Sequence, residues 1–247
     1  MRILQGYVSK SIMDFPFHQI YLLDDYNNDK RPAVFFGMYR HEDFYLFNNH
    51  KSAKVVFWTG QDALNFDRWG EVDYVEHFTA HPRVYELLKS KGLSVTLVQP
   101  SSFLNEINPK KLGTKIYAYC PKSMPIYHGI EIIQELQERG YEILIGDGSH
   151  TQEQWRNEMA DLFYQECYIG LCLSEFAGGG TSIIEMGLRG MFVVTNVFRL
   201  SNCLRWSQIE DVISHIECGK VQIGQTNHQL ARKVYADLDK DFKWLEI

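Results

Sequence analysis

The chain has 247 residues, of which 45% are hydrophobic and 23% are charged, and its formal net charge is −6. This length and apolar content suffice for one large α/β domain or two small ones, and they exclude a disordered or fibrous protein. The acidic residues are scattered, so the composition indicates no broad basic surface for nucleic acid, although it does not exclude local basic patches.

The chain starts in an apolar strand without the features of a signal peptide. No apolar run reaches the roughly 18 residues that are needed to span a bilayer. The five cysteines contain no C-x-x-C pair and lie mostly in apolar runs, as buried reduced thiols do. These patterns predict a cytoplasmic protein without a transmembrane segment, and they leave peripheral membrane contact open.

Strand-like runs alternate with helical patterns along the chain, which is typical of parallel α/β architecture. In the first half we predict strands at residues 3–8, 33–37, 54–58, 72–77 and 93–98. A helix between the last two begins at Pro82 and ends before Gly92, as proline and glycine commonly mark these ends.

Residues 99–114 are the most polar and turn-rich part of the chain and are the predicted linker. A second series follows, with predicted strands at 115–120, 141–145, 168–173 and 191–196 and predicted helices at 127–139, 152–165, 182–189, 208–217 and 227–244. The sequence therefore predicts two Rossmann-like domains, residues 1–105 and 110–247, that face each other across a cleft.

Ligands of open parallel sheets bind beyond the carboxyl ends of the strands, and two turns of the second half are suggestive. The first contains Gly146, Asp147 and Gly148, whose small residues allow a ligand to approach the backbone, although an ordinary turn fits equally well. The second is a run of three glycines, Gly178, Gly179 and Gly180.

The glycine run leads directly into a helix start at Thr181 and Ser182. Free N–H groups and the positive end of the helix dipole would favour a diphosphate there. Glu185 follows on the same helix, where it could contact the ligand or act only as the partner of Ser182 in a capping box.

Other nucleotide and metal motifs are missing or weak. A G-x-G-x-x-G fingerprint with a distant acid and a P-loop lysine are both absent, which weakens the dehydrogenase and NTPase interpretations. His77 and His81 lack the glutamate of a metalloprotease motif, and the D-x-D patterns within residues 237–241 fit a solvated charged face better than a metal site. We therefore expect no metal.

The segment from 164 to 196 reads YQECYIGLCLSEFAGGGTSIIEMGLRGMFVVTN. It resembles the donor-binding core of the group 1 glycosyltransferases, the large retaining family with the GT-B fold. That core has a strand ending in Ser, an acid, a turn with glycine, a second acid on a helix, and a strand ending in Val-Val-Thr. All of these stand here in the same order.

The resemblance implies that Glu175 lies by the donor sugar and the reaction centre, and that Glu185 binds the ribose hydroxyls. Gly179, Gly180, Thr181 and Ser182 match the turn and helix start that hold the diphosphate. Nine residues separate the two acids, two more than that family usually has.

More loosely, Cys120-Pro121-Lys122-Ser123 takes the place of the family's loop with basic diphosphate ligands, which makes Lys122 the candidate cation for the leaving group. A solvated lysine is the alternative. His128 precedes a glycine where the family has Lys-Gly.

In the first half, Asp62 stands where the family often presents an acid toward the acceptor, although it could equally cap the next segment. Gly6 stands where the family has a phosphate-binding Gly-Gly turn.

By resemblance, the chain is expected to transfer a sugar from a nucleotide sugar, a UDP- or GDP-sugar, to a hydroxyl of a glycan or another acceptor. The expected reaction retains the anomeric configuration and uses neither a metal nor a further cofactor. Two alternatives stay open, namely a GT-B sugar epimerase or phosphorylase and a non-catalytic nucleotide-sugar-binding protein.

Overall fold

A computed structural model describes residues 2–12, 17–27, 30–68, 75–102, 107–149, 159–174 and 180–246. The chain forms two compact units. The first contains the described residues up to 102 together with residues 238–246, and the second contains those from 107 to 237. The domain limits drawn from the sequence, 1–105 and 110–247, stay a prediction. Within the described ranges, no helix is long and apolar enough to cross a membrane.

The first unit is a six-stranded parallel sheet in the order β2-β1-β3-β4-β5-β6. Its strands are β1 (Gln5–Val8), β2 (Asp24–Asp25), β3 (Ala33–Phe36), β4 (Lys54–Trp58), β5 (Glu76–Thr79) and β6 (Val95–Leu97). Its helices are α1 (Phe17–Tyr21), α2 (His41–Asn49) and α3 (Pro82–Ser90), with a 3-10 helix at Gln61–Arg68.

The sheet of the first unit is buried on both faces, which explains why its central strands read as continuous apolar runs. Alternate residues of β3 and β4 enter two separate cores, because successive side chains of a strand point to opposite faces. Phe35 and Trp58 belong to one core with residues of α2 and α3. Phe36 and Phe57 belong to the other, with residues of α1 and with Trp244 and Leu245 from the chain's end.

The end of the chain does not continue as the single helix predicted over 227–244. The helix ends at Asp237, and Asp239 Oδ1 accepts hydrogen bonds from the backbone N–H groups of Asp241 and Phe242, both at 3.1 Å. Phe242 has a φ of 50°, which turns the backbone so that Trp244 and Leu245 enter the core of the first unit. A charged stretch thus makes a turn, and burial of the apolar residues beyond it fixes the end of the chain.

The second unit is a five-stranded parallel sheet in the order β11-β10-β9-β7-β8. Its strands are β7 (Lys115–Tyr119), β8 (Ile143–Gly146), β9 (Cys167–Cys172), β10 (Phe192–Thr195) and β11 (Cys203–Leu204). Its helices are α4 (Ile130–Glu138), α5 (Ala160–Gln165), α6 (Thr181–Leu188), α7 (Ile209–Gly219) and α8 (His228–Asp237), and short 3-10 helices lie at Ile126–His128 and Lys220–Gln222.

Strand β9 is buried at every position and occupies the middle of the second sheet. Helix α6 packs closely on it, because a Cβ at Gly170 would come within 2.3 Å of the Met186 sulfur. Two parallel sheets, each connected by helices, confirm the predicted α/β class with two Rossmann-like units.

Candidate functional site

The strand order of the second unit identifies the edge where a ligand would bind. From β7 the chain proceeds to β8 on one side of the sheet, whereas β9 pairs with the other side of β7. Open parallel sheets bind ligands at such a point, outside the carboxyl ends of the two diverging strands. The loops concerned begin at Cys120, after β7, and at Leu173, after β9, and both belong to segments singled out from the sequence.

Lys122 and Asp147 lie on the loops that follow the neighbouring strands β7 and β8. The Lys122 ammonium is 2.5 Å from Asp147 Oδ2, and the Lys122 backbone N–H donates to the Asp147 carbonyl at 3.0 Å. The hydrogen bond from Lys122 holds the pKa of the Asp147 carboxyl well below its usual range, assisted by hydrogen bonds from Ser149. The lysine side chain is 80% exposed, so its charge remains accessible to an anion.

The two glycines beside Asp147 have different reasons for being glycine. A Cβ at Gly146, the last residue of β8, would come within 2.2 Å of the Tyr117 hydroxyl, so this position is needed for packing. Gly148 has a φ of +72° and faces Pro121, which suits a tight turn. Packing against Tyr117 therefore accounts for Gly146, and the ordinary-turn alternative fits Gly148, where the loops after β7 and β8 meet.

His128 is buried at the end of the 3-10 helix that follows β7 and precedes α4. Its ring meets Tyr119 and Tyr127 edge-on, with centroids 5.1 Å apart in both pairs. Burial lowers the pKa of His128 to about 4, so the ring is neutral at pH 7 and does not replace the positive charge of a lysine. Its Nδ1 atom is buried and has no hydrogen-bond partner among the described residues.

Helix α6 follows β9 and begins at a glycine. Any other residue at this position would force neighbouring atoms to move. Gly180 is the N-cap, with a φ of +56°, and a Cβ there would lie 1.6 Å from the ring of Phe198. Among the described residues no side chain caps this helix, and Thr181 and Ser182 are partly exposed in its first turn. Gly178, Gly179 and Glu175 lie outside the described residues.

Glu185 is 2% exposed and lies in the fifth position of α6. The capping-box interpretation of this residue is wrong, because the helix is capped at Gly180 and Ser182 is already inside it. Instead, Glu185 Oε2 accepts a hydrogen bond of 3.1 Å from the Tyr164 hydroxyl. Burial, and then the nearby charge of Glu185, raise the pKa of Tyr164.

Arg189 supports this arrangement from one turn further along α6. Its guanidinium lies 5.2 Å from the centre of the Tyr164 ring and donates to the Glu185 carbonyl at 3.0 Å. It also binds Asp161 Oδ1 through Nε and Nη2, at 3.0 and 2.7 Å. These contacts fix Tyr164, and through it the orientation of the Glu185 carboxylate.

Gly6 and Asp62, the two predicted site residues of the first unit, both make contacts that stabilise the fold. Gly6 lies inside β1, not in the turn after it, and a Cβ there would contact His18 and Phe36 at 3.2 Å. Asp62 is fully buried and accepts backbone hydrogen bonds from Met38, Thr59 and Gly60, the shortest being 2.8 Å. This geometry favours the capping alternative for Asp62.

Asp43, which no sequence motif indicated, is a fully buried carboxylate at the switch point of the first sheet. Its oxygens accept hydrogen bonds from the Tyr7 and Ser9 hydroxyls, at 2.7 and 2.8 Å, and from the Arg40 N–H at 2.7 Å. It thereby joins the loops after β1 and β3, whose strands diverge toward β2 and β4. The sequence signal that could have indicated this residue is an acid in the first turn of a helix that follows a buried strand.

The described residues contain no group of three or more histidine, cysteine or acidic side chains arranged to hold a metal ion. His77 and His81 both form structural hydrogen bonds: His77 Nδ1 accepts from the Trp58 indole at 3.1 Å, and His81 Nδ1 accepts from the Arg83 N–H at the start of α3.

No protein-family model and no curated protein matches the chain. Among solved structures, the chain is similar to a crystal structure of an α1,3-fucosyltransferase, with a TM-score of 0.50 and 13% sequence identity. The match covers 100% of this chain and 91% of that one. At this identity the likeness concerns the fold, and it extends over both units, so the chain as a whole has the fold of a GT-B glycosyltransferase.

Proposed function

We propose that the protein is a glycosyltransferase that moves a sugar from a nucleotide-sugar donor to an acceptor hydroxyl. The observation that carries this proposal is the fold shared with a fucosyltransferase over the full chain. The switch point of the second sheet supports the proposal independently. Helix α6 begins there at Gly180, which has no side chain to occupy the N–H groups of the first turn, and such a site suits a diphosphate.

In this proposal the diphosphate binds at the first turn of α6, against the backbone N–H groups near Thr181 and Ser182. Lys122 supplies the positive charge that stabilises the departing nucleoside diphosphate, since charge that develops in the transition state requires an electrostatic partner. Its exposure and its place on the loop after β7 suit this role. His128 is neutral and contributes shape in place of charge.

Glu185 is proposed to bind the ribose hydroxyls with its carboxylate. The hydrogen bond from Tyr164 would then fix the carboxylate before the nucleotide arrives. Glu175 is proposed as the carboxylate at the reaction centre, on the resemblance to the group 1 family alone. Asp62 is not assigned a catalytic role, because backbone donors occupy its oxygens.

We further propose that the reaction is metal-independent and retaining, with a UDP- or GDP-sugar as the donor and no additional cofactor. The helix dipole and Lys122 would do the work that a divalent cation does in metal-dependent transferases. Acceptor binding is assigned to the first unit.

The test is a thermal-shift screen with UDP-, GDP-, ADP- and dTDP-sugars in EDTA, followed by measurement of sugar transfer and donor hydrolysis. A ligand at 100 times its dissociation constant adds about 2.7 kcal/mol of stability, which such a screen detects. Binding without turnover would identify a non-catalytic nucleotide-sugar-binding protein. Turnover that requires inorganic phosphate would identify a phosphorylase, and conversion of the donor sugar itself would identify an epimerase.

A matched pair of lysine variants tests the assignment of Lys122. Lys122→Met should lower donor turnover at least about tenfold, the effect of losing one charged contact to the leaving group. Lys220→Met is the control, because Lys220 also forms a surface ion pair, with Glu217 at 2.7 Å, but follows α7 away from the candidate site. Equal effects of the two variants would contradict the assignment.

A further inference from the structure

A cavity lies in the second unit near the amino ends of β9 and β10, whereas the candidate donor site lies beyond the carboxyl ends of the strands. Its volume is about 140 Å³. Close-packed protein interiors contain few voids larger than a water molecule, so a cavity of this size requires an explanation. Its walls include Tyr168 and Ile169 of β9, Phe192 of β10, Leu204 of β11, Gly219 of α7 and Gln222.

Gly219 forms part of the cavity wall where α7 ends. Its φ is −68°, which any residue adopts, so the backbone does not require glycine here. A Cβ at this position would lie 3.2 Å from the Tyr168 ring and 3.5 Å from Ile169 Cδ1. A glycine inside a helix also costs stability relative to alanine. The missing side chain therefore leaves room between α7 and β9, where the cavity lies.

Gln222 brings an unpartnered acceptor to the wall. Its Oε1 atom is buried and has no hydrogen-bond partner among the described residues. His215 also lines the cavity, but its Nε2 lies 2.7 Å from the Arg205 carbonyl and donates to it, because a carbonyl only accepts. The terminal torsion of a glutamine is broad, so the Gln222 amide can turn its oxygen toward a donor inside the cavity. A ligand with one O–H or N–H group would thus satisfy a buried acceptor.

We propose that the cavity binds a small neutral aromatic molecule with one hydroxyl or amino group, comparable in size to phenol. The volume fits, since a cavity of about 150 Å³ with aliphatic and aromatic walls accommodates benzene. The rings of Tyr168 and Phe192 favour an aromatic ligand, because aromatic rings attract each other in offset or edge-to-face arrangements. None of the described lining residues is an acid, a lysine or an arginine, so a charged ligand would find no opposite charge.

Such a molecule fits these walls better than water does. A buried water usually makes about three hydrogen bonds, whereas these walls are mostly apolar. The cavity and the candidate donor site lie at opposite ends of the same strands, so both can be occupied at once. Binding in the cavity is therefore independent of the proposed sugar transfer.

The test is a calorimetric titration of the full chain with phenol and with benzene. The wild type should bind phenol about fivefold more tightly, as expected for one additional neutral hydrogen bond. Gln222→Leu removes the acceptor but keeps a side chain of similar size at the wall. This variant should bind benzene and phenol with equal affinity.

A matched pair of tryptophan variants tests the location. Leu204→Trp should abolish binding of both compounds, because Leu204 is partly exposed at the cavity and the larger side chain would fill it. Leu162→Trp is the control, since Leu162 is 55% exposed on α5 and does not line the cavity. It should leave both affinities unchanged.

Cys218 provides a second readout at the same site. It lines the cavity and is the only exposed one of the five cysteines. At about ten times its dissociation constant, phenol leaves only about one site in eleven free, so the reaction of Cys218 with a thiol reagent should slow at least about threefold. The reaction of free glutathione should not change, and Cys218→Ser should remove the protected reaction.

The proposal is overturned if phenol neither binds the wild type nor protects Cys218, or if benzene binds as tightly as phenol. Phenol binding by Leu204→Trp at the wild-type affinity would also overturn it. None of these readouts depends on donor turnover.

Discussion

Gly180 and Phe198 lie in direct contact at the start of α6, where a Cβ on residue 180 would stand 1.6 Å from the aromatic ring. Phe198 belongs to the loop after β10, and Arg205 holds that loop by donating to the Phe198 carbonyl at 2.5 Å. The loop after β10 therefore supports α6, the helix that follows the neighbouring strand β9. This contact fixes the helix start at which we propose that the diphosphate binds.

Gly180→Ala should destabilise the protein by more than about 2 kcal/mol, because the left-handed backbone alone costs an alanine about 1–2 kcal/mol and the ring must also move. Phe198→Ala should remove the cost of displacing the ring. In a double-mutant cycle measured by urea denaturation, the two changes together should therefore cost about 1–2 kcal/mol less than the sum of the single changes. Additive effects would show that the two residues are not in contact.

Glu185→Gln should weaken binding of the donor nucleotide by about 1.5–3 kcal/mol, the range for a lost charged hydrogen bond. Tyr164→Phe is the matched change, since it removes the hydroxyl that donates to Glu185 but leaves the carboxylate. We expect it to weaken nucleotide binding by less than about 1 kcal/mol while lowering stability. If both variants lose only stability and bind the nucleotide normally in a calorimetric titration, Glu185 is not a ligand of the ribose.

Asp62 should make stability depend on pH. Burial raises the pKa of its carboxyl to about 6, against the opposing effect of the backbone hydrogen bonds. The folded state therefore holds this proton at pH values where the unfolded chain has lost it, and the contribution of Asp62 to stability is full below about pH 4 and is lost as the pH rises through 6.

Asp62→Asn removes this titration, although the variant is less stable overall because its amide NH₂ faces backbone N–H donors. Urea denaturation of both proteins from pH 4 to 7 should show the stability advantage of the wild type shrinking by on the order of 3 kcal/mol. A difference that stays constant across this range would mean that Asp62 is ionised throughout.

Asp147→Asn should tighten the binding of a nucleoside diphosphate severalfold, because a carboxylate beside Lys122 repels the diphosphate and competes for the ammonium. The exposed ion pair contributes little to the fold, so the unfolding free energy should change by less than about 1 kcal/mol. Titrations at low and high salt provide the check, since the gain should diminish as salt screens the charges. Weaker binding by the variant would instead show that Asp147 positions Lys122 for the ligand.

Hydrophobic patterns predicted most of the fold. Strand β4 has the predicted limits 54–58, and β7, β9 and β10 lie within a residue of theirs, because strands buried on both faces leave an unmistakable apolar run. The short edge strands Asp24–Asp25 and Cys203–Leu204 were missed, since two residues with polar or mixed neighbours carry no periodicity. Helix α2 was also missed, because its apolar residues form one short run at 44–47, with charged residues before it and amides after it, and such a run has no helical periodicity.

Local patterns predicted a helix start at Ser182, one residue from the observed start at Thr181, but not the roles of the side chains around it. Glu185 follows Ser182 at the spacing of a capping box, and only the contact between Gly180 and Phe198 shows that the helix begins one residue earlier. Asp62 shows the same limit, because its backbone donors include Met38, 24 positions away in the sequence. Such contacts depend on the packing of distant segments, which a local motif does not encode.

If this chain transfers sugar from a nucleotide donor, it should release nucleoside diphosphate in EDTA, and this release is the measurement that decides the proposed function. UDP- and GDP-sugars would be supplied with a panel of hydroxyl acceptors, and the wild type would be compared with Glu175→Ala. We expect metal-independent release by the wild type and a loss of at least about 100-fold in the variant with nucleotide affinity little changed, as is usual for a group that acts in the transition state. Absence of release from every donor, or release that requires a divalent metal, would contradict it.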